Sequence, residues 1–508
     1  MTVVARVDVF SHNFKVSKYQ REFYLLLKEY CRPLIQTGLE PRPGGRFVPK
    51  MLKVFAASNA ARTEMRFSIS LLKGFFEFCK QRGYDQSRFE VVSQPLFKPA
   101  KLVSKFFESW VLRDYQIPVV AFETEEGTPI RVVVVQTGKG KGLMSLKAAE
   151  ELGFRTIVIV PAMYTEKWYE EIETMYKNVK KRMLLVKGYK QLCNLVHLAK
   201  IGELDHDFII VSQTTMQIFL RNWEMEPTLT EEMCCHPEKF YETIGAGTKI
   251  IDELHKGIHI NIKMDLYTNI PKGLYLTATI RASNPFINRM TEMAYPAGDR
   301  YKGLEYDRYI GVVAMEYRLQ NPRAVKWIGR KKEYSQIKFE ESILRSPKMR
   351  DNYLRMVEFL VQTEYVDVME AKQTCIVFAG SIEMCTSIAK HLKRRFPQLK
   401  VGRYVGEDDY DELMNNDIVV STILSAGTAI DKYGLITVIM TQAIDSIQAN
   451  EQTMGRLRRL KDWPDKTPMF FYLVCGDIDK HITYHERKVE LLADKALWQR
   501  YEILPYRI

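Results

Sequence analysis

"VVVVQTGKGKGLMSL", Val132 to Leu146, decides the reading of the chain. The four valines predict a strand buried on both faces, the glycines a tight turn, and the residues from Lys141 onward a helix. Such a turn lets backbone N–H groups point inward at phosphate oxygens, and the helix N-terminus adds its partial positive charge. Thr137, Gly138, Lys139, Gly140, Lys141 and Gly142 are therefore candidate nucleotide-binding residues. Lys141 stands where a lysine reaches the β- and γ-phosphates. Two positions depart from the G-x-x-x-x-G-K-[ST] pattern: its first glycine would be Val135, and its magnesium-binding hydroxyl would be at Gly142. Thr137 and Ser145 are nearby hydroxyls at other positions. Mg2+ keeps several waters readily, so a water could fill the vacant place if Asp252 still anchors the ion's shell.

Working outward, short β-branched runs recur on both sides of this loop: "TIVIVP", "FIIVS", "KIIDE" and "LYLTAT", with helical segments between most of them. After a basic stretch the pattern restarts with "CIVFAG", "KVGRYV", "DIVVST", "ITVIM" and "MFFYLV". Apolar strands alternating with helices predict parallel sheets covered on both faces. The expected fold is α/β: two tandem parallel-sheet domains over 101–305 and 306–508, plus a small α+β module over 1–100. In that module "KYQREFYLLLKEYCRPLI" and "RTEMRFSISLLKGFFEFCKQRGY" carry apolar residues at helical spacing, and a Pro/Gly turn between them leads into a strand-like run.

Bulk properties set limits. A length of 508 residues suggests about three domains. The net charge of +12 and pI near 9.0 favour polyanionic partners such as nucleic acid. No apolar run approaches the roughly 18 residues that span a bilayer, and "MTVVARVDVFSHNFK" lacks the pattern of a signal peptide. A soluble, cytoplasmic protein without membrane partners is expected, and a monomer. The eight cysteines contain no C-x-x-C pair, so reduced structural thiols are expected, Cys234 and Cys235 beside His236 included. His481 and His485 sit at helical spacing and read as surface histidines.

About 110 residues after the loop, "KIIDELHKG" puts Asp252 and Glu253 at the end of an apolar strand. An acidic pair there suits holding a metal's water shell (Asp252) and orienting or deprotonating an attacking water (Glu253). "LYLTATIR" follows, and "VLRDYQIPVV" precedes the loop with Arg113 and Gln116. In the second domain "EQTMGRLRR" holds Gln452, Gly455, Arg456 and Arg459.

In this order "LRDYQ", "TGKGK", "DELH" and "LTAT", followed by a Q-x-x-G-R-x-x-R run, resemble the superfamily 2 DExH helicases. That resemblance covers about residues 110–460. It implies RecA-like domains with ATP bound between them together with Mg2+. Arg113, Gln116 and Gln452 would act in nucleotide binding, Asp252 at the metal, and Arg456 and Arg459 as arginine fingers on the transferring phosphoryl group. It further implies nucleic-acid contacts at Pro161, at Ser212, Gln213 and Thr214, at Gly380 and Ser381, and at Thr422 and Gly427, with Asp431 nearby. Contacts of this kind go to the backbone and carry no base information.

Within the superfamily the chain is most similar to the phage UvsW group of branched-nucleic-acid helicases. The N-terminal "GGRFVPKMLKVFA" with "FSISLLKGFFEFCKQRGY", and "YSQIKFEESILRSPKMRDNYLRMVEFLVQ", carry that closer likeness. It implies ATP-driven remodelling of branched or forked DNA in recombination, repair or replication, in a bacterial or phage-infected cell. Single-stranded DNA and RNA–DNA hybrids are further candidate substrates, and the N-terminal module would contact them. An RNA helicase is the alternative within the class. A nucleic-acid-binding scaffold deficient in ATPase activity is the alternative outside it, and Gly142 is its support.

Overall fold

The computed structural model describes residues 3–41, 47–57, 63–282, 284–301, 305–329, 333–406, 408–426 and 432–508. Gly427 and Asp431 lie outside them. The chain divides into two compact units, Met1–Leu304 and Glu305–Ile508.

The first unit contains two of the larger sheets. Its six-stranded sheet runs in the order Met183–Val186, Phe208–Ser212, Thr156–Val160, Thr248–Ile251, Lys272–Thr277, Ile130–Val134. Every pairing in it is parallel. Thr156–Val160 and Phe208–Ser212 are buried along their whole length, which is why their sequences are unbroken apolar runs rather than alternating ones. Helices such as Lys141–Leu152, Thr165–Met175 and Gln213–Met225 connect successive strands. All parallel strands end at one edge, and ligands of open α/β sheets bind at that carboxyl edge.

The second unit has a seven-stranded parallel sheet in the order Val401–Tyr404, Ile418–Ser421, Thr374–Phe378, Leu435–Met440, Met469–Cys475, Gly311–Arg318, Trp498–Arg507. These are two tandem RecA-like domains in an α/β chain.

The small N-terminal sheet has five strands, Phe55–Ala57, Glu64–Ser68, Asn13–Ser17, Ala5–Val9 and Phe89–Ser93 in spatial order, mostly antiparallel. Helix Arg21–Cys31 buries Phe23, Leu27 and Cys31, and helix Leu72–Lys80 buries Phe75 and Cys79, the i, i+4 stripes that pack on a sheet. The sequence over 62–84 read as helical throughout. Its first part, Glu64–Ser68, is instead a strand, because Met65 and Phe67 join the core of the sheet. This sheet shares one compact unit and one continuous core with the first parallel sheet. Asn13 Nδ2 donates to the carbonyls of Asp265 and Thr268 at 3.1 and 2.9 Å, and Arg66 pairs with Glu238.

Seven of the eight thiols are buried and Cys193 is half-buried; among the described residues none is joined in a disulfide. Burial pushes the Cys193 thiol up to about 11, as expected of structural cysteines. His481 is not at the surface. It lies buried between Tyr334 and Phe339, its Nδ1 accepts from the Cys475 N–H at 3.1 Å, and burial lowers it to about 3. Among the described residues no helix is long and apolar enough to cross a membrane.

Candidate active site

The loop after strand Ile130–Val134 turns on two glycines with left-handed backbone, Gly138 (φ 86°) and Gly140 (φ 81°), and helix Lys141–Leu152 starts directly behind them. At Gly140 the glycine is required twice over: φ is positive, and a Cβ would lie 2.6 Å from Gln116 Nε2. The lysine side chain folds back over the loop, with Lys141 Nζ donating to the Val135 carbonyl at 3.1 Å. Thr137 and Lys139 are half-exposed and Gly138 is exposed.

Gln116 clamps this loop. Its Oε1 accepts from the Arg113 N–H at 2.9 Å, and its Nε2 donates to the Lys139 carbonyl at 2.9 Å. Tyr115 hydroxyl reaches the same carbonyl at 3.3 Å. Arg113 itself is exposed, with Nη1 3.3 Å from the Tyr115 hydroxyl.

The acidic pair follows strand Thr248–Ile251 on the same edge of the sheet. Asp252 Oδ2 accepts from Trp168 Nε1 at 3.0 Å, and Oδ1 accepts from the Glu253 N–H at 2.8 Å. Burial and the Glu253 charge push the Asp252 carboxyl up, and Lys141 opposes them. Glu253 adopts a positive φ of 52°, a conformation non-glycine residues rarely take. Its Oε2 is buried without a hydrogen-bond partner, 3.3 Å from His255 Nδ1. Burial lowers His255 to about 3; the ring is neutral at pH 7, so this contact is not an ion pair. His255 Nδ1 also lies 2.9 Å from Thr277 Oγ1, which ties the DELH segment to the next strand end.

Trp168 and Glu171 share helix Thr165–Met175. Burial raises the Glu171 carboxyl; Lys167 opposes this and Asp252 reinforces it. Ser145 is not available to a metal at the loop. It is buried and its hydroxyl donates to Glu123, whose carboxyl burial pushes up to about 8.

The residues marked for nucleic acid in this unit also sit on the carboxyl edge. Pro161 follows strand Thr156–Val160, and the Tyr164 hydroxyl just beyond it accepts from Lys256 Nζ at 2.9 Å. Ser212 caps helix Gln213–Met225, its Oγ accepting from the Thr215 N–H at 3.1 Å. Thr214 is exposed. Gln213 Nε2 reaches Asn261 Oδ1 at 3.4 Å, and Asn261 Nδ2 donates to the Leu254 carbonyl at 2.9 Å.

In the second unit Gly380 and Ser381 hold the buried carboxyl of Glu340, which burial pushes up. The Gly380 N–H and the Ser381 hydroxyl donate to the two oxygens of Glu340 at 2.7 and 2.6 Å. Thr422 Oγ1 accepts from the Ser425 N–H at 3.3 Å. Helix Ile447–Met454 ends between Gln452 and the arginines. Arg456 is buried in the turn that follows. Arg459 is exposed beyond it, with Nε and Nη2 donating to Asp307 at 2.9 and 2.6 Å.

Trp168, Glu171, Glu340 and Asp307 were not singled out in the sequence. Trp168 follows soon after Pro161 in the chain, but nothing in its spacing points to Asp252.

The donors facing the loop are hard oxygens beside a lysine, which suits Mg2+ rather than a softer metal. Among the described residues no three His, Cys, Asp or Glu side chains gather into a site that could hold a metal alone. An ion here would share its shell with phosphate oxygens and water.

The fold and this loop place the chain among tandem RecA-like α/β proteins that carry a glycine-bent loop at a strand end. No protein-family model matches the chain, and no curated protein matches its sequence. Among solved structures it is similar to the crystal structure of T4 UvsW, at 12% identity over 99% of each chain with a TM-score of 0.34.

Proposed function

We propose that the protein is a nucleic-acid-stimulated ATPase, a helicase or translocase that remodels branched DNA or R-loop intermediates in recombination, repair or replication. One observation carries the ATPase part. A loop bent by two left-handed glycines, closed by its own lysine and clamped by Gln116, shares a sheet edge with a half-buried acidic pair. On this reading Lys141 leaves the Val135 carbonyl for the β- and γ-phosphates of ATP. The N–H groups of the loop bind the phosphate oxygens. Glu253 orients the attacking water and takes its proton. Mg2+ held by Asp252 would supply charge neutralisation at the phosphates. Arg456 and Arg459 would stabilise the charge that develops on the γ-phosphoryl group.

DNA as the substrate rests on the motif resemblance and the basic balance of the chain. The test is steady-state ATP hydrolysis by wild type and Lys141→Ala with no nucleic acid, forked DNA, single-stranded DNA or RNA, over a range of Mg2+. DNA-stimulated turnover that Lys141→Ala abolishes supports the motor. Stronger stimulation by RNA transfers the reading to an RNA helicase. Gly142 favours a second reading, a scaffold that binds nucleic acid without hydrolysis. It predicts equal background rates for both proteins at every Mg2+ concentration, and DNA binding indifferent to ATP.

A further inference from the structure

The P-loop pattern asks for a hydroxyl at position 142, and this chain has none there. The space in front of Gly142 is nevertheless taken. A Cβ built on Gly142 would lie 2.9 Å from Glu171 Oε2 and 3.6 Å from Trp168 Cη2. A serine or threonine side chain would thus run into the Glu171 carboxylate, on the side where the pattern's hydroxyl meets the metal. Trp168 and Glu171 stand three residues apart on one helix, so they share a face. Through that face the helix donates to Asp252 from Trp168 Nε1 at 3.0 Å and presents a carboxylate to Gly142.

We propose that Glu171 is the substitute metal ligand of this loop: a carboxylate oxygen from the helix after Pro161 replaces the missing Ser/Thr hydroxyl at position 142. This rests on the phosphate-site reading above. The missing side chain and the incoming one are complementary, since glycine is the residue that leaves the carboxylate room. Glu171 Oε1 pairs with Lys167 Nζ at 3.5 Å, and the Glu171 side chain is 31% exposed. With Asp252 the site then offers two carboxylates, and phosphate oxygens and water complete an oxygen shell. A carboxylate in place of a neutral hydroxyl also adds a negative charge close to the phosphates. Nucleotide binding should therefore depend more steeply on the divalent ion than in a loop of the ordinary pattern.

The experiment uses the full chain, Mn2+ as the probe ion and ADP as the nucleotide. Bound Mn2+ is read by electron paramagnetic resonance, and ADP affinity is measured separately in the presence of EDTA. Glu171→Ala is expected to weaken ADP-dependent Mn2+ binding about tenfold or more, on the scale of losing a metal-site carboxylate. Its ADP affinity in EDTA should be unchanged or higher. Gly142→Ser added to Glu171→Ala should recover Mn2+ affinity, and Gly142→Ser alone should not. Wild-type Mn2+ affinity in Glu171→Ala overturns the inference and leaves the phosphate site standing. Equal losses with and without metal overturn it too, because they mark a structural role. Wild type that binds no ADP with any divalent ion refutes the phosphate-site reading, and this inference falls with it. Glu171→Gln, which keeps the volume, decides the matter if Glu171→Ala fails to fold.

Discussion

Gln116 offers the sharpest test of how the loop is held. Truncation by Gln116→Ala removes two hydrogen bonds of 2.9 Å, one from the Arg113 N–H and one to the Lys139 carbonyl. The side chain is 3% exposed, so water does not readily replace it. A buried polar group left unpaired costs about 1–3 kcal/mol. The Lys139 carbonyl retains the Tyr115 hydroxyl at 3.3 Å, which softens its half of the loss. About 2–4 kcal/mol of loop ordering is then at stake, and at 1.4 kcal/mol per decade the upper bound on lost affinity is roughly 30-fold to several hundred-fold. Gln116→Glu separates the halves: the acceptor for Arg113 stays, and a carboxylate oxygen faces the Lys139 carbonyl. The assay is equilibrium binding of a fluorescent ADP and, in competition, of inorganic pyrophosphate. A clamp on the loop weakens both ligands alike in both variants. Loss of ADP with pyrophosphate untouched would refute this reasoning, since Gln116 would then be reading the base rather than shaping the loop.

Three further perturbations follow from the geometry. Glu123 is fully buried with its pKa raised from 4.5 to about 8, so between those values the folded state binds the proton that the unfolded state has released, and stability must fall as pH rises through that window. Glu123→Gln is expected to flatten the urea-denaturation profile there and to be the more stable protein at pH 8; an unchanged slope counts against a protonated Glu123. Asp265→Ala leaves Lys249 buried without its 2.5 Å partner and should cost about 3–5 kcal/mol in urea unfolding, whereas Lys249→Met with Asp265→Leu should cost less. Arg459→Ala should reduce stimulated kcat by about 10³ or more if the residue works on the γ-phosphoryl group. Asp307→Asn, which releases the guanidinium, should shift stability by less than about 1 kcal/mol and leave kcat at or above wild type; loss of kcat with Asp307→Asn would mean that the pair itself is needed.

What the sequence revealed and what it hid divides along physical lines. Runs such as "TIVIV" and "FIIVS" announced their strands because a central parallel strand is covered on both faces and must be apolar throughout. Trp498–Arg507 went unread for the opposite reason: it pairs along one side only and most of its residues are exposed, so no apolar run marks it. Glu64–Ser68 was hidden because it runs straight into a helix, and their apolar residues blend into one false helical period. The glycines of the loop, Gly138 and Gly140, were legible, since positive φ restricts the choice of residue. Glu171 was not. Its relation to Gly142 exists only once one helix packs on another, and no local pattern encodes that. His481 misled in the same way: its spacing to His485 describes the helix, but its partner, the Cys475 N–H, belongs to a strand end.

The strand that carries the acidic pair is tied at both ends by groups other than its neighbours in the sheet. At its start the Lys249 ammonium meets Asp265 at 2.5 Å and Thr268 Oγ1 at 3.0 Å, and Asp265 also accepts from Tyr275 and Tyr295 at 2.6 and 2.7 Å. The same Asp265–Thr268 turn is gripped through its carbonyls by Asn13 of the N-terminal sheet. At its end Asp252 is held by Trp168, and the following His255 contacts Thr277. Buried polar networks of this kind fix position more than they add stability. The N-terminal sheet is therefore fastened to the base of the strand whose tip bears Asp252. Two further bonds add to this junction: the Ser11 N–H donates to Asn269 Oδ1 at 3.0 Å, and the Ser70 hydroxyl donates to the Met293 carbonyl at 2.5 Å.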